Sequence, residues 1–150
     1  MTVGFVMLAH TALDRAADVA EFLAEAGCPV VIHVDRRANQ GEFGKLLARV
    51  SGNAQVSFVR RRRCDWGTWS LVRASRDAAE TLLKRHSDVS HVMLISGACL
   101  PIKPIADLRS YLAVRAGVDF IESVTVKEAP WAAGGLSDER FSFSFPFSWK

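Results

Sequence analysis

The chain has only three cysteines in 150 residues, Cys28, Cys64 and Cys99, and no two of them form a Cys-x-x-Cys pair. An odd, scattered set suits neither a zinc site nor a disulfide framework, so three reduced thiols are expected. There is no apolar run long enough to cross a bilayer. The apolar start from Met1 to Ala9 is soon broken by His10 and Asp14, and no basic stretch precedes it. It reads as neither a membrane span nor a secretory leader. Charge of one sign is also scarce: the net value is +3, too small to argue for a nucleic-acid partner. No internal repeat or low-complexity linker divides the chain, so one domain over residues 1–150 is expected. What remains is an ordinary globular composition, 49% hydrophobic and 23% charged, in a chain long enough to bury a core.

Apolar runs alternate with helical patterns along that chain. Residues 3–9 read as a buried strand. Residues 13–26 place Val19, Ala20, Leu23 and Ala24 on one helical face, with Gly27 as C-cap and Pro29 beyond. Residues 30–34 read as a second buried strand, and Phe43, Leu46, Leu47 and Val50 as a helix ended by Gly52-Asn53. Residues 56–59 make a short third strand. Residues 69–83 are the clearest helix, with Leu71, Val72, Ser75, Ala78, Ala79 and Leu82 on one face. A fourth strand at 91–95, a helix at 105–114 and a fifth strand at 118–122 complete the series. Strand and helix in alternation predict an α/β fold: a mostly parallel, Rossmann-like sheet with helices on both faces. Ligands of such sheets bind beyond the carboxyl ends of the strands. His10, Asp35, the 60–66 loop, Ser96-Gly97 and Glu122 all fall at those ends.

The segment Arg63-Cys64-Asp65-Trp66-Gly67-Thr68-Trp69-Ser70-Leu71-Val72 opens directly into the clearest helix. Gly67 permits a close backbone approach, and Trp66 offers a flat apolar face beside an N–H donor. A nucleotide or sugar fits such a junction; so does a packed turn with no ligand. Asp35 at a strand end can accept hydrogen bonds from a nucleobase imide or a ribose hydroxyl, or cap a helix or pair with Arg36 or Arg37. His10 is a ligand contact or a satisfied structural imidazole. The run from Arg60 to Arg63 is the densest charge in the chain. It reads as a solvated loop with one or two functional arginines, with diphosphate or nucleic acid as the partner it could attract.

Leu8-Ala9-His10, Ile32-His33-Val34-Asp35, Trp66-Gly67-Thr68-Trp69-Ser70-Leu71-Val72 and Pro101-Ile102-Lys103, in that order, resemble the motifs of the core-2/I-branching glycosyltransferases. These include β-1,6-N-acetylglucosaminyltransferases and peptide O-xylosyltransferases. Two departures stand out: Cys99-Leu100 replaces the family's acidic-aromatic pair before Pro101, and Cys64-Asp65 precedes the Trp. The resemblance spans residues 3–103 and continues more weakly to the end. It implies a GT-A-like fold and inverting, metal-independent transfer from a UDP-sugar (UDP-N-acetylglucosamine or UDP-xylose) to a glycan or other hydroxyl-bearing acceptor. It assigns His10, Asp35, Asp65, Trp66, Gly67 and Ser96 to the donor nucleotide, and Glu122 and Arg140 to the acceptor. No cofactor is expected, since the UDP-sugar is a substrate. A metal is not expected either: Ser96-Gly97-Ala98-Cys99 has no carboxylate where other nucleotide-sugar transferases hold a cation with D-x-D.

The family's general base and phosphate-binding residues come late, and are expected beyond Lys150. The tail Phe141-Ser142-Phe143-Ser144-Phe145-Pro146-Phe147-Ser148-Trp149-Lys150 is strongly apolar where chain ends are usually polar. The chain therefore reads as the N-terminal, donor-binding portion of a longer glycosyltransferase domain, inactive alone. A bacterial, cytoplasmic form, peripheral to the membrane where glycans are made, fits the missing anchor. The alternative is a non-catalytic nucleotide-sugar-binding or assembly module; nucleic-acid binding through the arginine run is a weaker third.

Overall fold

A computed structural model describes residues 1–115, 117–121, 123–125, 128 and 129. The chain divides into two units, Met1–Ala116 and Gly117–Lys150. In the first, strand and helix alternate: β1 (Thr2–Ala9), α1 (Leu13–Glu25), β2 (Val30–Val34), α2 (Gln40–Val50), β3 (Val56–Phe58), α3 (Trp69–Arg85), β4 (Val89–Ser96) and α4 (Ile105–Ala113). The strands form one all-parallel sheet in the order β3-β2-β1-β4. This is the expected α/β, Rossmann-like architecture.

β1 and β2 are apolar at nearly every position because both of their faces are covered. Val3, Phe5, Met7 and Ala9 of β1 join Val30, Ile32 and Val34 of β2 on one face, packed against Leu13, Ala16, Ala17, Ala20 and Leu23 of α1. Val6 and Val31 point the other way, against Ala78 and Leu82 of α3. The chain steps outward from β1 to β3, then α3 carries it back over the opposite face to set β4 on the far side of β1. The direction of winding thus reverses between β1 and β4. Close packing at this point requires a glycine. The Gly97 N–H donates to the Leu8 carbonyl at 2.8 Å, and a Cβ on Gly97 would stand 3.0 Å from Ala9 Cβ and 3.1 Å from Ala16 Cβ.

Several elements differ from expectation for identifiable reasons. α2 begins at Gln40 because Asn39 caps it, its side chain accepting from the N–H groups of Gly41 at 2.8 Å and Glu42 at 3.0 Å. The buried stripe of α3 is Ala74, Ala78 and Leu82, while Val72 is exposed. Small residues let this helix lie close to the sheet, so the stripe follows size as well as hydropathy. β4 runs longer than 91–95 and lies at the edge of the sheet among the described residues: Met93 and Ile95 pack inward, whereas Val92 and Leu94 are exposed on the other face. In the second unit, residues 118–121 form no strand, contrary to the expected fifth strand at 118–122, and Ile121 is 81% exposed. A four-residue apolar run interrupted by Asp119 supplies propensity but no ladder, and among the described residues no strand pairs with it. Glu122 and Arg140 lie outside the described residues, as does the aromatic tail.

Candidate functional site

A cavity of about 300 Å³ opens at the carboxyl ends of β1 and β2, lined by Leu8, His10, His33, Asp35, Arg37, Cys64, Trp66 and Leu71 among others. A larger groove of about 520 Å³ lies under the 99–105 loop and α4, but Phe5, Leu23, Met93, Ile95 and Leu100 make it chiefly apolar. The smaller cavity is the stronger candidate because polar groups from distant segments converge on it.

Asp35 organises that convergence. Its backbone N–H continues the ladder to the Ala9 carbonyl at 2.8 Å, and the next amide, of Arg36, reaches the Arg62 carbonyl at 2.9 Å. The end of β2 is thereby held between β1 and the 60–67 loop. The Asp35 carboxylate is 5% exposed as a residue and accepts four hydrogen bonds. Oδ1 takes the Arg37 N–H at 2.7 Å and its Nε–H at 3.1 Å, and Oδ2 takes Arg37 Nη2 and the Cys64 N–H, each at 3.0 Å. Burial pushes the carboxyl up, but the bonds from the Arg37 side chain and backbone and the Cys64 amide outweigh it and bring the pKa down to about 2. A carboxylate offers about four lone-pair sites, so Asp35 is saturated from within the chain.

Arg37 carries the charge outward. Its Nη2 also donates to the Cys64 carbonyl, and its Nη1 reaches Asp65 Oδ1 at 3.2 Å. The side chain is about half exposed at the cavity. Behind it, buried His33 accepts the Arg62 N–H through Nε2 at 3.0 Å. Burial and then the Arg62 charge, against Asp35, push its pKa down, so the ring stays neutral. Burial also pushes the Cys64 thiol up, which leaves it protonated.

The Trp66 side of the cavity is built by a tight turn. Gly67 adopts φ +72°, a left-handed value that suits glycine. The Thr68 N–H returns to the Asp65 carbonyl at 3.2 Å, and Thr68 then caps α3 through Ser70 N–H. Ser70 Oγ accepts the Asp65 N–H at 2.9 Å. The Trp66 indole stands in water beside this turn, 92% exposed, at the mouth of the cavity.

Of the residues singled out for the donor, His10, Asp35 and Trp66 line the cavity, and Asp65 and Gly67 shape its loop. Ser96 ends β4 opposite Leu8 and its Oγ accepts the Ala98 N–H at 3.3 Å; it is not part of the lining. Sequence reasoning did not place Arg37, His33 or Cys64 in the site. The one local signal for Arg37 is its spacing: Asp35 Oδ1 bonding the N–H two residues on is an Asx turn.

The arginine run separates into roles. Arg61 is structural: its Nη2 donates to the carbonyls of Asp35 at 3.0 Å and Ala38 at 2.9 Å, its Nη1 to Gln40 at 2.7 Å, and its guanidinium lies 4.2 Å from the Phe43 ring centre. Arg62 pairs with Asp77 of α3 at 2.6 Å. Both tie the loop to neighbouring helices. Among the described residues no helix is long and apolar enough to cross a membrane.

Comparison with known proteins agrees with this architecture. A family model described as Core-2/I-Branching enzyme matches residues 3–139. No curated protein matches the chain.

Proposed function

Because the chain belongs to the core-2/I-branching enzyme family, a family of glycosyltransferases, we propose that the cavity beside β1 and β2 is the donor-nucleotide site of an inverting, metal-independent enzyme that uses a UDP-sugar. The observation that carries this reading is the convergence of His10, the Asp35–Arg37 pair and Trp66 on one crevice at the carboxyl end of a parallel sheet. Trp66 covers the base or ribose with its free indole face. Arg37 has one Nη1 hydrogen beyond its four intramolecular bonds and offers it to a ribose or phosphate oxygen. Asp35 sets the fork of Arg37 and reaches a uracil imide by exchanging one of those bonds. His10, at the rim, contacts the nucleotide from the β1 end.

The donor is UDP-N-acetylglucosamine or UDP-xylose and the acceptor a glycan or other hydroxyl, approached by Glu122 and Arg140. Support for metal independence comes from the β4–α4 turn, where Ser96-Gly97-Ala98-Cys99 carries no carboxylate to hold a cation against a diphosphate. Isothermal titration with UDP is the test. Asp35→Ala is expected to weaken UDP by about 1–3 kcal/mol, the scale of lost bonds to a charged group. Equal affinity in wild type and a folded Asp35→Ala removes Asp35 from the nucleotide site.

A further inference from the structure

The segment from Arg60 to Ser70 also borders a second concavity of about 460 Å³, which shares no lining residue with the nucleotide crevice. Arginines dominate its lining: Arg36, Arg60, Arg63 and Arg73 join the two structural ones, and among the described residues no acidic side chain takes part. Arg61 and Arg62 are spent on carbonyls and Asp77. Arg63 has a loose partner, Asp65 at 3.4 Å. Arg36, Arg60 and Arg73 have no side-chain partner among the described residues. The first turn of α3 enters the same space and contains no acidic residue to neutralise its N-terminal amides. Trp69 forms an aromatic wall, 69% exposed.

Isolated surface arginines are solvated and need no ligand. Here unpaired guanidinium groups share one concavity and repel one another, with a helix N-terminus adding to the positive potential. Planar guanidinium forks match phosphate oxygens two at a time, which a ring of lysines would not. We propose that this concavity is a second binding site, separate from the nucleotide crevice, for a ligand that carries two or more clustered phosphate groups. The chemistry is shared by a soluble polyphosphorylated compound and by a phosphorylated lipid headgroup. A long nucleic acid fits less well: the chain's net charge is only +3, and among the described residues the pocket offers one aromatic, Trp69, where a strand would need a series of stacking faces.

The probe is sodium tripolyphosphate, titrated calorimetrically into the full chain at low salt. Binding is expected in the wild type. Arg60→Ala/Arg73→Ala is expected to weaken it at least about tenfold while UDP affinity stays unchanged. Both side chains are exposed and unpaired, so the variant should keep its melting temperature; Arg36→Ala provides an independent second variant. Equal tripolyphosphate affinity in wild type and folded variants overturns the site, as does no binding in the wild type. A vesicle flotation arm separates the sources. Flotation with phosphatidylcholine vesicles containing a phosphoinositide, lost in the double variant and absent with phosphatidylcholine alone, assigns the phosphates to a headgroup. Tripolyphosphate binding without flotation assigns them to a soluble ligand. Tighter binding of a single-stranded oligonucleotide than of tripolyphosphate, with a steep salt dependence, overturns the proposal in favour of nucleic acid.

Discussion

Asp35→Asn tests the central claim about the crevice, that one buried carboxylate holds its walls together. The side chain is nearly isosteric, but its amide nitrogen cannot accept a hydrogen bond. Two of the four bonds from Arg37 and the Cys64 amide become donor–donor contacts, whichever way the amide turns. The depression of the carboxyl from 3.8 to about 2 gives a first magnitude, roughly 2.5 kcal/mol at 1.36 per unit. A stranded buried N–H adds about 1–3 kcal/mol before relaxation. We expect Asp35→Asn to cost about 2–4 kcal/mol at neutral pH, or roughly 5–15 °C in melting temperature for a chain of this size.

The pH dependence isolates the cause. A carboxyl whose folded pKa lies below its unfolded value stabilises fully above the unfolded value, and the contribution fades as pH falls through the folded one. The gap between wild type and Asp35→Asn should therefore be level above the ordinary 3.8 and close as the pH falls towards about 2. Urea unfolding, followed by tryptophan fluorescence at a series of pH values, reads this directly. A gap below about 0.5 kcal/mol at neutral pH, or one that persists undiminished in acid, would refute the argument.

Other outcomes follow from the same structure. Trp66→Ala should leave stability within about 0.5 kcal/mol, because the indole is 92% exposed, yet weaken UDP by about 1–3 kcal/mol if a base stacks on it; calorimetry and a thermal melt separate the two. His33 is held neutral with its pKa pushed down, so its contribution should be complete above its ordinary 6.5 and lost progressively as pH falls below that; the acid-side loss in melting temperature should shrink in His33→Asn. Gly97→Ala should destabilise by about 1–3 kcal/mol in urea unfolding, since its methyl would press on Ala9 and Ala16, and Ala16→Gly should recover part of the loss. Sugar transfer by the enzyme should persist in excess chelator; strict dependence on manganese or magnesium, restored by adding it back, would contradict the metal-independent reading.

The sequence by itself determined the layout of the sheet. Apolar runs at 3–9 and 30–34, separated by helical periodicity, are local signals whose meaning is set by burial on both faces, and they put His10 and Asp35 at strand ends without any knowledge of contacts. The ordered motifs around Ile32-His33-Val34-Asp35 and Trp66-Gly67 were legible in the same way. Tertiary structure alone decided what the polar residues do. Asp35 is bonded to Cys64, 29 positions away, and Arg61 is consumed by carbonyls and Phe43 more than 15 positions upstream. No periodicity encodes such pairs, because hydrogen bonds depend on where the chain returns in space. The same holds for Val72 and for residues 118–121: hydropathy marks a residue as able to be buried, and only a neighbouring surface buries it.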